Sequence, residues 1–194
     1  AGLYWEFCKY PLANAESVND ILNHNFPDPY GKGRFDAAKK NIDKYGKDHG
    51  ILGELETTIF ETCWYLVGME KFLMDLMVEP PYIKVLLDKV MTINLEIAKQ
   101  IVNLGVDFIW LGDDFGSQSG VIIDPEVWRK HFKPRIGYIF SELKKINKDL
   151  KIAWHSCGSI LPIVPDFIEI GLDILGHQRI DRRGGHVLLA IQEC

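Results

Sequence analysis

The chain has 194 residues, 47% hydrophobic and 25% charged, which suits one sizeable core or part of a larger domain. Its net charge of −5 and pI near 5.7 exclude the basic stripe that a nucleic-acid binder needs to displace counterions. No stretch approaches the ~18 apolar residues of a membrane span, and the first residues do not read as a signal peptide.

Cys8, Cys63, Cys157 and Cys194 have no framework spacing, which predicts a reducing, cytoplasmic setting rather than disulfides. Residue 1 is alanine, from which we expect a processed, trimmed or partial polypeptide. The pairs Lys39–Lys40, Lys144–Lys145 and Arg182–Arg183 are isolated and read as solvated faces.

Residues 1–45 are aromatic and turn-rich and belong to the same domain as residues 46–178. Asn14 to Asn25 can form a short helix, the Pro27-to-Gly33 stretch is a loop, and Arg34 to Tyr45 reads as a helix stopped by Gly46. Gly50 to Leu55 is a candidate strand, and a helical pattern from Ile59 to Glu79 should break near Gly68. Pro80-Pro81 suits a fresh helix start, after which Leu87, Met91, Leu95, Ala98 and Val102 form one apolar stripe ending at Gly105. Val106 to Leu111 reads as a buried strand. Asp124-Pro125-Glu126 then opens a helix to about Asn147, bent at Pro134. Lys151 to Trp154 is the next strand, Ile160 to Ile170 a short helix, and Leu172 to Leu175 a further strand.

Strands alternating with helices predict an α/β fold on a parallel sheet, where chemistry gathers at the strands' C-terminal ends. The polar residues obey that rule. Glu54 and Glu56 follow the first strand, Asp113 and Asp114 the second, His155 and Cys157 the third, His177 and Gln178 the fourth. In His155-Ser156-Cys157-Gly158, alternation puts the imidazole and the thiol on one face, as two ligands of the kind zinc prefers. A pair this short is equally compatible with simple packing. Asp113 and Asp114 also suit turn and cap positions, and His177 a loop.

Several stretches together resemble a known superfamily. Gly112-Asp113-Asp114-Phe115-Gly116-Ser117-Gln118, Asp124-Pro125-Glu126-Val127-Trp128-Arg129, Lys133-Pro134-Arg135, His155-Ser156-Cys157-Gly158-Ser159 and Gly171-Leu172-Asp173-Ile174-Leu175 are similar to the uroporphyrinogen decarboxylase superfamily. Within it they look closest to the methylcobalamin:coenzyme M methyltransferases, as does the segment from Leu66 to Leu76. The likeness runs over about residues 20 to 178.

That resemblance implies a (β/α)8 barrel with its site at the C-terminal mouth. Only four strands can be placed, whereas such a barrel needs eight and usually ~250 residues. The expectation is therefore a partial TIM barrel over residues 46–178, lacking N- and C-terminal strands, with an atypical tail at 179–194. Open edges and an exposed apolar face would favour a homodimer.

The superfamily's methyltransferases are implied to hold zinc with a His-x-Cys pair plus a distant cysteine. The zinc-activated thiolate of the acceptor attacks the methyl group of a methylcorrinoid carried by a partner protein. His155 and Cys157 match the pair, whereas Cys194 is too close to the C-terminus to assign, leaving water, Asp114, Glu54 or another chain to complete the site. Asp113 and Asp114 are the expected catalytic carboxylates, with Gln118 and Gln178 binding substrate. Arg129 and Arg135 can bind substrate carboxylates but more naturally form surface pairs. Two alternatives stand beside this: a porphyrin-biosynthetic decarboxylase acting on a carboxylated substrate without metal, and a truncated, non-catalytic fragment.

Overall fold

The computed structural model describes residues 7–178 and 187–190, with residues 177–178 and 187–190 described by their backbone alone. Two short helices, α1 (Val18–Leu22) and α2 (Asp36–Tyr45), precede the sheet. Strand β1 (Leu52–Leu55) leads into α3 (Phe60–Val67), α4 (Met69–Val78) and the long α5 (Pro81–Asn103). Strand β2 (Phe108–Gly112) is followed by α6 (Pro125–His131) and α7 (Lys133–Ile146). Strand β3 (Lys151–Cys157) leads through a 3-10 turn into α8 (Val164–Glu169), then β4 (Ile174–Gln178) and β5 (Val187–Ala190). The sheet order is β1-β2-β3-β4-β5, with the first three pairings parallel and β4–β5 antiparallel.

The parallel part is the expected run of βα units. Several boundaries differ for local reasons. The first helix is only five residues long, because Ser17 and Asp20 form a capping box that fixes its start at Val18. The helix expected from Asp124 to Asn147 is two helices meeting at Phe132, since Pro134 cannot donate the backbone bond a continuous helix needs there. Glu54 lies within β1 rather than after it, and β4 runs on through His177, correcting its reading as a loop residue. The tail holds β5, an antiparallel strand that the sequence reading did not place. Arg182–Arg183 and Cys194 lie outside the described residues.

Sheet alternation sorts the residues. Ile109 and Leu111 of β2 and Ile152 and Trp154 of β3 are fully buried against the helices, together with Leu87, Ala98 and Val102 of α5. Leu12, Ala15 and Ile21, before and within α1, join the same core. On the opposite face Leu52 is 45% exposed, and Trp110 and His155 are half-buried. No helix among the described residues is long and apolar enough to cross a membrane.

Phe115, just beyond β2, is the hub of an aromatic cluster. Its ring centroid lies 5.0 Å from Phe60, 5.3 Å from Phe132, 5.9 Å from Trp128 and 6.4 Å from Trp154. It thereby joins three helical segments to β3 at the end of the sheet that carries the His-Cys pair. Phe115→Ala should lower unfolding free energy by about 3–5 kcal/mol, a large share of a small domain's stability. Urea denaturation followed by circular dichroism would check this, and a loss under about 1 kcal/mol would refute the hub role.

Candidate metal centre

Strand β3 is hydrogen-bonded on both sides, with His155 opposite Gly112 of β2 and Gly176 of β4. Trp154 and Ser156 therefore turn into the core, while His155 and Cys157 share the other face. Cys157 Sγ lies 3.3 Å from His155 Nε2. That same nitrogen is 3.4 Å from Oδ1 of Asp114, which also accepts the Cys157 backbone N–H at 2.6 Å. One donor atom from each of Asp114, His155 and Cys157 lies within 4.8 Å of the other two.

Two contacts brace this group. The Trp110 ring lies 6.2 Å from the His155 ring at an interplanar angle of 25°. The loop after β2 crosses the loop after β3 at Gly116 and Gly158, where a Cβ on Gly116 would stand 2.7 Å from the Gly158 carbonyl carbon. Gly158 also has φ of 73°, so glycine is required there by both conformation and space.

The surroundings are acidic. Burial pushes the Cys157 thiol up to about 12, helped by its hydrogen bond to Asp114 and by the charges of Asp114, Glu61 and Glu56. Glu61 itself is raised chiefly by burial, and its carboxylate accepts the Tyr65 hydroxyl at 2.8 Å and the Asp114 N–H at 3.1 Å. A thiol held neutral by burial and nearby carboxylates becomes a ligand once a divalent cation is present, because the cation reverses the local charge balance.

Asp113, one of the expected catalytic carboxylates, lies inside the fold and makes its hydrogen bonds to backbone. It is fully buried, and its carboxylate accepts backbone N–H groups from Thr58 (3.2 Å), Ile59 (2.8 Å) and Glu61 (3.0 Å). The capping position of α3 is Ile59, whose side chain has no acceptor, and Asp113 supplies one from the neighbouring strand. Asp113 is a structural cap. Gln118 is exposed on the loop closed by the Gly116–Val121 bridge. Gln178 occupies the register position opposite Cys157, and its side chain lies outside the described atoms. Glu54 and Glu56 are exposed on and just after β1. Arg129 pairs with the buried Asp166 and the exposed Glu126, and the largely buried Arg135 pairs with Asp88, all on the helical layer.

Residues 9–183 match the family described as uroporphyrinogen decarboxylase (URO-D). The chain belongs to that family. A solved methyltransferase from Methanosarcina mazei has the same fold, with a TM-score of 0.61 and 23% sequence identity. The match covers 71% of this chain and 39% of the methyltransferase, so this URO-D chain spans well under half of its neighbour's length. The parallel four-strand sheet fits a partial (β/α)8 barrel of the URO-D fold. No curated protein matches the chain by sequence.

Sequence reasoning missed Glu61, Tyr65 and Trp110. The Glu61–Tyr65 contact is an i,i+4 helix pair and was in principle visible, whereas nothing local links Glu61 to Asp114.

Asp113 gives a pH-dependent prediction. Burial raises its carboxyl from 3.8 to about 7, against the three N–H donors that favour the charged form. Between those values the native state holds a proton that the unfolded chain has lost, so this group's contribution to stability falls as pH rises from 4 to 7. Asp113→Asn removes that dependence. The stability gap between wild type and variant should be widest near pH 4 and narrow towards pH 7 in denaturant titrations. A gap that widens towards pH 7 would show an ionised cap instead.

Proposed function

We propose that the complete polypeptide containing this chain is a zinc-dependent methyltransferase that moves a methyl group from a corrinoid to a thiol acceptor. The observation supporting this reading is the convergence of His155 Nε2, Cys157 Sγ and an Asp114 carboxylate oxygen within 4.8 Å. Nitrogen, thiolate and carboxylate donors are the set that zinc takes, and three protein ligands leave a fourth tetrahedral position for an exogenous group. Asp114 is the third donor that this chain offers, whereas the family's methyltransferases are expected to use a distant cysteine. Zinc held by these residues would lower the acceptor thiol's pKa, making thiolate available near neutral pH.

The protein's own groups have definable tasks. Asp114 and Cys157 are locked together through the Cys157 N–H, so the carboxylate cannot swing away without breaking a 2.6 Å bond. The Trp110 ring flanks the imidazole, close to parallel with it. The corrinoid is expected on a partner protein in the cytoplasm, with the rest of a barrel covering the open sheet face at Leu52 and Trp110, from the same polypeptide or a second copy.

Decarboxylation of a polycarboxylate calls for cationic groups facing the substrate. Among the described residues Arg129 and Arg135 are tied to Asp166 and Asp88, and the charged groups acting on Cys157 are carboxylates, which favours the metal reading over that one.

Elemental analysis after loading with zinc and gel filtration tests the proposal. Wild type should retain about one zinc per chain, and Cys157→Ser and His155→Ala should each lose it. Wild type without zinc above background would overturn the metal reading.

A further inference from the structure

Residue 61 and the pair 113–114 exchange hydrogen bonds in both directions. The Asp113 carboxylate accepts the Glu61 N–H at 3.0 Å, and the Glu61 carboxylate accepts the Asp114 N–H at 3.1 Å. The second oxygen of Glu61 is taken by the Tyr65 hydroxyl at 2.8 Å, which fixes the carboxylate's rotation. Tyr65 is backed in turn by the Phe7 ring, stacked at 4.5 Å. This carboxylate is partly desolvated, and its two hydrogen bonds come from the Tyr65 hydroxyl and from the backbone beside a ligand candidate, not from a cation.

The consequence falls on Asp114. Its side chain remains 37% exposed, so it has room to turn outward. Two hydrogen bonds oppose that: Glu61 holds its backbone N–H, and the Cys157 N–H holds its Oδ1. We propose that Glu61 is a positioning residue of the metal centre, acting through the Asp114 backbone to keep that carboxylate in register with His155 and Cys157. The proposal rests on the zinc-dependent function and adds a residue that does not itself join the group of three donors. Its role is geometric: an acceptor atom at that place is what matters, and the negative charge is secondary.

The test uses this chain and Zn²⁺ alone. Zinc affinity is measured by competition with a chromophoric chelator, the Co²⁺-substituted absorption spectrum reports coordination, and metal-free unfolding reports fold stability. Glu61→Ala should weaken zinc binding about 10–100-fold and lower the intensity of the Co²⁺ bands, as loss of an orienting partner does. Glu61→Gln keeps an oxygen able to accept the Asp114 N–H and should stay within about 3-fold of wild type, since one hydrogen bond is preserved. Combined with Asp114→Ala, Glu61→Ala should add little further loss, because the group it positions is gone. If Glu61→Ala fails to fold, Tyr65→Phe replaces it, freeing the Glu61 carboxylate while retaining the stacked ring, and should weaken zinc several-fold.

Unchanged zinc affinity in a folded Glu61→Ala, or in Tyr65→Phe where that stands in, overturns the inference while wild-type binding leaves the metal reading intact. Equal losses in Glu61→Ala and Glu61→Gln also overturn it, by assigning the effect to charge. Wild type that binds no zinc defeats both.

Discussion

A strand with parallel neighbours on both sides cannot choose which face its side chains take, and β3 is such a strand. Its register with β2 and β4 sends Trp154 and Ser156 into the core and His155 and Cys157 to the other side. A slip of one residue would bury the imidazole and thiol and expose the indole. The register is therefore defended by the whole aromatic cluster that receives Trp154, including Phe115, Phe140 and Phe167. Hydrophobic packing on one face thus holds a pair of candidate metal donors on the other.

The loop after β2 extends that control to the third donor. Asp113 and Asp114 are adjacent yet face opposite ways, as successive residues of an extended chain must. Asp113 goes inward to cap α3, and Asp114 goes outward to meet His155 and Cys157. Phe115 follows Asp113 into the core, and its N–H donates to Ser156 Oγ at 3.0 Å. Asp114 is thereby held between two anchored residues. A carboxylate placed this way loses little conformational entropy on gaining a ligand, because folding has already restricted it.

Legibility in the sequence followed the range of the interactions. The His155–Cys157 pairing depends on strand alternation alone, and the α5 stripe on helical periodicity, and both could be read locally. The Asp124-Pro125 helix start was equally plain, and the structure shows Asp124 accepting the Glu126 N–H at 2.7 Å. Asp113 and Asp114 could be located at a strand end but not told apart, since their division of labour depends on Ile59 lacking a capping group 54 residues earlier. Glu61 was invisible as a site residue for the same reason. Its partner, the Asp114 N–H, comes from another βα unit. Strand β5 escaped because it breaks the parallel pattern on which the other strands were recognised.

The crossing at Gly116 and Gly158 shows why so much of the centre rests on backbone. Ser159 N–H donates to the Ser117 carbonyl at 2.8 Å, drawing the two loops together until no Cβ fits between them. That contact fixes the peptide planes immediately after Asp114 and Cys157, the two residues already linked by the Cys157 N–H. Side chains on long free loops would need the metal to order them, whereas these donors are spaced by main-chain contacts. A cation bound here would not spend its binding energy on folding the loops, and it would have to match a preset spacing of nitrogen, sulfur and oxygen.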